Sequence, residues 1–155
     1  MYKRIFVAYD ASSCAVKALD EAIHLAKSQA ATLCIAYVDD GAVVIHGGLD
    51  IHGYVDGLDQ VTEQIHEQGE HLLDAAVAKA QAAGCDVIRQ LVPAEHRRPA
   101  EAIADAAREW NADLIIVGTH GRRGFQRVLV GSVAENLVRI ASASLMLVRE
   151  GAATA

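Results

Sequence analysis

Leu114-Ile115-Ile116-Val117-Gly118-Thr119-His120-Gly121-Arg122-Arg123-Gly124 is a short aliphatic run that stops in a glycine-dense turn. Four branched residues with no polar alternation read as a strand buried on both faces, the kind found in parallel sheets. Four further runs have the same character: Ile5-Phe6-Val7-Ala8-Tyr9, closed by Asp10; Thr32 to Val38; Cys85 to Val92; and Leu145 to Val148. Between them lie segments of helical period. Ala15, Ala18, Leu19, Ala22, Ile23 and Ala26 line one face of a helix that Ser12 or Ser13 caps. Val61, Ile65, Leu72, Leu73, Ala76 and Ala80 line a second, which stops at Gly84. Pro99 opens a third, carrying Ile103, Ala106, Ala107 and Trp110. The last opens at Ser132, with Glu135 three residues on reading as a capping box.

Strict strand–helix alternation with right-handed crossovers predicts a single-domain α/β fold over residues 1–150. It is an open five-stranded parallel sheet of order 3-2-1-4-5, helices on both faces, Rossmann-like, followed by a short tail at 151–155. Residues 39–58 break the pattern with Gly, His and Asp and read as a surface loop. The composition agrees: 52% hydrophobic and 22% charged over 155 residues is enough to bury one core, and aromatics are only 5%.

The net charge of -6 lacks the basic field that nucleic-acid binding needs, so no nucleic acid is expected as a partner. A local patch of Arg122, Arg123 and Arg127 suits a small phosphorylated ligand instead. Three cysteines, Cys14, Cys34 and Cys85, form no CxxC pair and point to a reducing compartment. Met1-Tyr2-Lys3-Arg4 leads straight into the first strand, and no apolar run approaches the roughly 18 residues of a membrane span. The expectation is a cytoplasmic protein with no membrane partner.

In a doubly wound sheet, ligands sit beyond the carboxyl ends of strands where strand order reverses, here between the first and fourth strands. That places Asp10 opposite the Gly118–Gly124 turn. Gly131-Ser132 then meets the N-terminus of the last helix, whose free N–H groups and dipole favour an anion. The glycines match neither GxGxxG nor GxxxxGK[ST], which disfavours a dinucleotide dehydrogenase and a P-loop ATPase.

Gly118-x2-Gly121-x9-Gly131-Ser132 resembles the nucleotide-binding signature of the universal stress protein family. So do Ala112 to Arg122, Tyr9-Asp10-Ala11-Ser12, Pro99 to Ile103 and Gly131 to Glu135. The resemblance covers nearly the whole chain. It implies binding of ATP, or of ADP or AMP, with or without Mg²⁺, and pairing into homodimers through the last strand, Leu145 to Arg149. By position it puts Asp10 and Val38 (through its backbone) beside the adenine, and Gly118 and His120 near the ribose. Gly121, Gly131, Ser132 and Val133 would hold the phosphates. Ala11 stands where the family usually has Gly, and Ser144 where a Pro commonly opens the last strand.

His66 and His71 lie five residues apart, about 140° around a helix, and so do not share a metal as HExxH does. His46 and His52 lack Cys partners or tight spacing. No Ser/His/Asp or Cys/His constellation accompanies the glycine motif, and no catalytic residue or metal ligand is assigned. The reading is a nucleotide-responsive binding or regulatory protein acting on an unknown protein partner. The alternative is a slow Mg-dependent ATPase or an autophosphorylating phosphotransferase.

Overall fold

The structure is a computed structural model that describes residues 1–39, 58–94, 97–121 and 130–150; in the second helix it describes side chains from residue 63 onward. Nine elements alternate along these residues: β1 (Arg4–Ala8), α1 (Ser13–Gln29), β2 (Thr32–Asp39), α2 (Leu58–Ala82), β3 (Asp86–Pro93), α3 (Pro99–Glu109), β4 (Leu114–Gly118), α4 (Ser132–Ile140) and β5 (Ser144–Val148). The strands form one parallel sheet in the order β3-β2-β1-β4-β5, as the alternation predicts. The expected loop at 39–58 (beyond Asp39 and Leu58 themselves) and the tail at 151–155 lie outside the described residues.

Because successive strand residues point to opposite faces, the aliphatic runs divide between two cores. On one face Ile5, Val7, Leu33, Ile35, Leu114 and Ile116 pack under α1 and α2, against Ala18, Leu19, Ala22, Leu73, Ala76 and Ala80. On the other, Phe6, Cys34, Ala36, Ile115 and Val117 pack under α3 and α4, against Ile103, Ala106, Ala107, Ala134 and Leu137. In register Phe6 lies between Cys34 and Ile115, so each layer crosses the three central strands without a step. Alanine dominates the inner faces of α1 and α3, which brings these helix axes close to the sheet. Burial pushes the Cys34 thiol up to about 12, against a weaker opposing pull from Arg4. That is the behaviour of a small hydrophobe at the sheet centre.

Helix ends follow their local chemistry. Ser12 caps α1, its Oγ accepting from Ala15 N at 3.2 Å. Gly84, at φ 83°, follows α2 in the left-handed conformation. Pro99 occupies the first turn of α3.

Gly69 sits in the middle of α2, where glycine is ordinarily a weak choice. Its place is explained across the layer. A Cβ there would lie 2.5 Å from Cε1 of Tyr37, a ring that is fully buried on β2. Gly69→Ala, which stabilises an ordinary helix interior, is therefore expected to destabilise this protein by about 1–3 kcal/mol through overpacking. Urea unfolding measures it; a midpoint at or above that of the parent would show that Tyr37 has room to move.

Candidate functional site

The order of the sheet reverses between β1 and β4, and the residues that follow these strands meet at its carboxyl edge. β1 and β2 pair as far as Ala8 and Ala36, and Tyr9 N then donates to Ala36 O at 2.8 Å. Val38 lies two residues past that pair on β2, and Asp10 two residues past it beyond the end of β1. Val38 faces Val92 of β3 in register and is half-buried against the α3–α4 core. On β4, Gly118 is the last strand residue and Thr119 follows it.

The chain turns out of β1 through Ala11, which takes φ 62°. For an L-residue this left-handed conformation costs roughly 1–2 kcal/mol. The turn is held by an Asx contact, Ser12 N donating to Asp10 Oδ1 at 3.0 Å. Ser12 Oγ donates in turn to the His120 carbonyl at 3.2 Å, tying the α1 start to the turn after β4. Tyr9 points between α1 and α2; burial raises its phenol pKa and Lys79 opposes the rise, while Asp10 and Asp20 add to it. It keeps its proton at neutral pH.

Each described glycine of the motif has a close neighbour. A Cβ on Gly118 would lie 2.7 Å from Cys14 Cβ, so the first turn of α1 rests directly on the end of β4. One on Gly121 would lie 2.8 Å from Asp10 Oδ2, and one on Gly131 would lie 3.0 Å from the Thr119 carbonyl oxygen. Gly131 N also donates to that oxygen at 2.6 Å. The structure therefore brings Asp10, Gly118, His120, Gly121 and Gly131 together. It also gives each of the three glycines a reason internal to the fold.

The capping box expected at Ser132 and Glu135 is not formed. Gly131 is the N-cap of α4, with φ -72° and ψ 159°, and Ser132 is the first helical residue. The bond from Gly131 N to Thr119 O fixes the chain's entry one residue earlier than the Ser-x-x-Glu spacing suggests, and Glu135 instead pairs with Arg139 at 2.8 Å. Consequently the N–H groups of Ser132, Val133 and Ala134 have no acceptor within the helix, and Gly131 brings no side chain to cap them. The other described helix starts at this edge differ. The α1 start is occupied by the Ser12 hydroxyl and the Asp10 carboxylate, with Glu150 accepting from Ser13 Oγ at 2.9 Å. At α3, Pro99 has no N–H, and Glu101 accepts from Arg98 N at 3.1 Å. Beside the open α4 start lies a depression of about 250 Å³ lined by Arg98, Pro99, Ala100, Ser132, Val133 and Asn136.

Arg122, Arg123 and Arg127 lie outside the described residues, as do His46 and His52. His66 is half-exposed, its Nδ1 2.8 Å from Asp39 Oδ2 and its Nε2 3.8 Å from Glu70 Oε1. Among the described residues no group of three or more His, Cys, Asp or Glu side chains is placed to hold a metal ion, and no helix is long and apolar enough to cross a membrane. Three residues that sequence reasoning had not assigned to the site belong to its frame: Ser12, Cys14 and Thr119. Thr119 is 3% exposed, and its Oγ1 lies 3.1 Å from His120 Nδ1. The pair resembles a nucleophile with its base, but a hydroxyl this deeply buried is closed to a substrate. What the edge presents chemically is a helix start without a side-chain cap, with the Asp10 carboxyl and the His120 imidazole on the turns near it.

The model of the Universal stress protein family matches residues 1–149. Universal stress protein YxiE of Bacillus subtilis is 32% identical over 151 residues, covering 96% of this chain and all of that one. A solved structure from the same family in Burkholderia pseudomallei is 33% identical, with a TM-score of 0.75 and coverage of 95% of this chain and 96% of the other. Two more distant structures share the fold and were solved with nucleotides. One is a universal stress protein in complex with cAMP, 24% identical, TM-score 0.66, covering 95% of this chain and 97% of its own. The other, from Archaeoglobus fulgidus, is in complex with dAMP: 20% identical, TM-score 0.67, covering 95% of this chain and 98% of its own. With its glycine motif gathered at the switch point and a match along almost its full length, this chain belongs to the universal stress protein family.

Proposed function

We propose that the crevice between β1 and β4 binds an adenine nucleotide, with ATP the favoured species over ADP and AMP, and that the protein is a nucleotide-responsive binding protein. The observation that carries this reading is the α4 start: three N–H groups with no intrahelical acceptor and no side-chain cap, at the positive end of a helix dipole, beside a depression. The α1 and α3 starts at this edge already hold the chain's own oxygens, so an incoming phosphate is repelled there and accepted at α4. In the bound state the phosphates lie over Gly121, Gly131, Ser132 and Val133. The ribose lies near Gly118 and His120, and the base between Asp10 and the backbone of Val38. Two fold relatives solved with cAMP and dAMP carry ligands of this class. Mg²⁺ would accompany a triphosphate as its counter-ion.

The corrected cap makes a sharper test available than glycine substitution. Gly131→Val would press on the Thr119 carbonyl and disturb the fold's own contact, so lost binding in that variant would be ambiguous. Ser132 is exposed at the first helical position, and Gly131 before it is extended, a conformation compatible with a following proline. Ser132→Ala removes only the hydroxyl, whereas Ser132→Pro removes the hydroxyl and one N–H while favouring the helix. With hydrogen bonds to a charged group worth about 1.5–3 kcal/mol, Mg-ATP affinity is expected to fall roughly tenfold or more in Ser132→Ala. Ser132→Pro is expected to lose about tenfold again, at unchanged melting temperature. Titration calorimetry reads this directly; full affinity in folded Ser132→Pro would remove the phosphates from α4.

The same titration separates binding from turnover. A binding protein returns ATP intact over hours. Mg-dependent ADP release above background, abolished in Ser132→Pro, would instead make the protein a slow ATPase, and label on Ser or Thr would make it a phosphotransferase.

A homodimer through Leu145 to Arg149 is part of the same proposal. Among the described residues β5 is an edge strand with one side unpaired, and Ser144 at its head keeps an N–H that a proline would lack. Sedimentation at tens of micromolar is expected to give twice the 16.5 kDa chain mass; a monomer over that range would overturn the pairing.

A further inference from the structure

The depression beside the α4 start is closed on its far side by α3. Ser132, Val133 and Asn136 form one wall, and Arg98, Pro99 and Ala100 the other, around a volume of about 250 Å³. Ser132 and Asn136 stand four residues apart and so share one face of α4. Pockets that take a whole small ligand usually span roughly 300–1,000 Å³. This one has room for the end of a ligand, not for all of it.

Arg98 is the cation on that rim. It is exposed and stands as the N-cap of α3. The other arginines of α3 are spent on one carboxylate: Arg97 donates to Asp105 Oδ2 at 3.1 Å and Arg108 to Asp105 Oδ1 at 2.5 Å. Glu101, three residues past Arg98, accepts from its backbone N–H at 3.1 Å. Among the described residues no carboxylate forms an ion pair with the Arg98 guanidinium. That group stays charged at any working pH, and its planar fork matches two oxygens of one phosphate. Because Glu101 on the same wall repels an anion, Arg98 decides whether the α3 side of the depression draws a phosphate or rejects it.

We propose that Arg98 is a specificity residue that receives the phosphate farthest from the base, and so sorts adenine nucleotides by phosphate number. This rests on the nucleotide-binding reading above, in which the phosphates lie over the α4 start. A phosphate chain continued past Ser132 and Val133 enters the depression and meets Arg98, whereas a monophosphate stops before it. The ligand class is a nucleoside triphosphate, chosen over its monophosphate by one charge-assisted contact.

Calorimetric titration of the full chain with Mg-ATP and with AMP tests this in the parent, Arg98→Gln and Arg98→Lys. Backbone groups of Arg98 make the bonds that start α3, so both variants are expected to keep the parent's melting temperature. Mg-ATP affinity is expected to fall about tenfold in Arg98→Gln, the weight of one hydrogen bond to a charged group. AMP affinity is expected to change less than about twofold, since salt near 0.15 M screens an exposed charge within about 8 Å. Arg98→Lys, with the charge but not the fork, is expected to lose about threefold for Mg-ATP alone. Equal losses for both nucleotides would reveal only a general field and overturn the proposal, as would full Mg-ATP affinity in folded Arg98→Gln. Should the glutamine variant not fold, the lysine variant decides by the same comparison.

Inorganic triphosphate, which carries no base, separates this proposal from the reading beneath it. With Mg²⁺ it is expected to shift the amide signals of Arg98, Ser132 and Val133 in ¹H–¹⁵N spectra of the parent, and to bind about tenfold more weakly to Arg98→Gln. A parent that takes triphosphate through Arg98 but binds no adenine nucleotide would sink the adenine reading and leave the phosphate contact standing. Equal triphosphate binding by parent and Arg98→Gln overturns the contact, and a parent that binds neither ligand overturns both.

Discussion

The first turn of α1 rests on Gly118 with no side chain between them, and the geometry of the carboxyl edge depends on that contact. A Cβ on Gly118 would stand 2.7 Å from Cys14 Cβ and 3.0 Å from Ala15 N. Any larger residue would lift α1 off the end of β4. That movement would part Ser12 from the His120 carbonyl and Cys14 from Thr119, two links between the β1 and β4 sides of the crevice. Parallel strands cannot be joined by a hairpin, so neighbours in the sheet can be far apart in sequence. Here the edge is welded by contacts between residues more than a hundred positions apart. The crevice is consequently a close-packed seam between two halves of the sheet.

Charge at this edge follows from which helix starts are already filled. Every helix that follows a strand in this topology begins at the carboxyl edge and brings a set of unsatisfied N–H groups there. At α1 and α3 the chain answers with its own side chains: Ser12, Asp10 and Glu101 supply the oxygens, and Pro99 deletes a donor. At α4 the cap is Gly131, which supplies none. The difference is local, made by one residue, and converts a general property of the fold into a particular site. The 33% identical structure from Burkholderia pseudomallei shows the same fold with nearly full coverage, and caps of this kind are a level of detail that the fold alone does not fix.

The strand runs, their order and the inner faces of α1 and α3 were legible in the sequence because burial on both sides demands aliphatic residues and little else. Strand limits read from those runs fall within a residue or so of the observed ones. What was not legible is everything fixed by a distant neighbour. Ser132 and Glu135 have the spacing of a capping box, but the chain's entry into α4 is set by a bond to Thr119 that no local pattern encodes. Gly69 reads as a weak spot in a helix until Tyr37 is seen against it. Ser12 reads as a cap and is one, but its reach to His120 appears only when β1 and β4 lie side by side. Thr119 stands inside the motif, but threonine after a strand is ordinary, and only its burial makes it informative.

These observations change what the glycine motif itself signifies. Gly118, Gly121 and Gly131 each face an atom of the protein at 3.0 Å or less from where a Cβ would be. A chain with this packing would require glycine at 118, where a Cβ would meet the Cys14 backbone at 2.9 Å, whether or not a phosphate ever approached; at 131 a Cβ would press on the Thr119 carbonyl, and at 121 it would displace the Asp10 side chain. The motif is therefore first a record of how closely the β1–α1 and β4–α4 units are pressed together, and only second a description of a ligand. What the close packing leaves without an intrahelical acceptor is the set of N–H groups at the start of α4. In this sense the same constraint builds the seam and selects what remains to bind. Variants that keep the glycines and alter the α4 start separate the two roles; a Gly118 variant cannot, because it would part α1 from β4 before it reached a ligand.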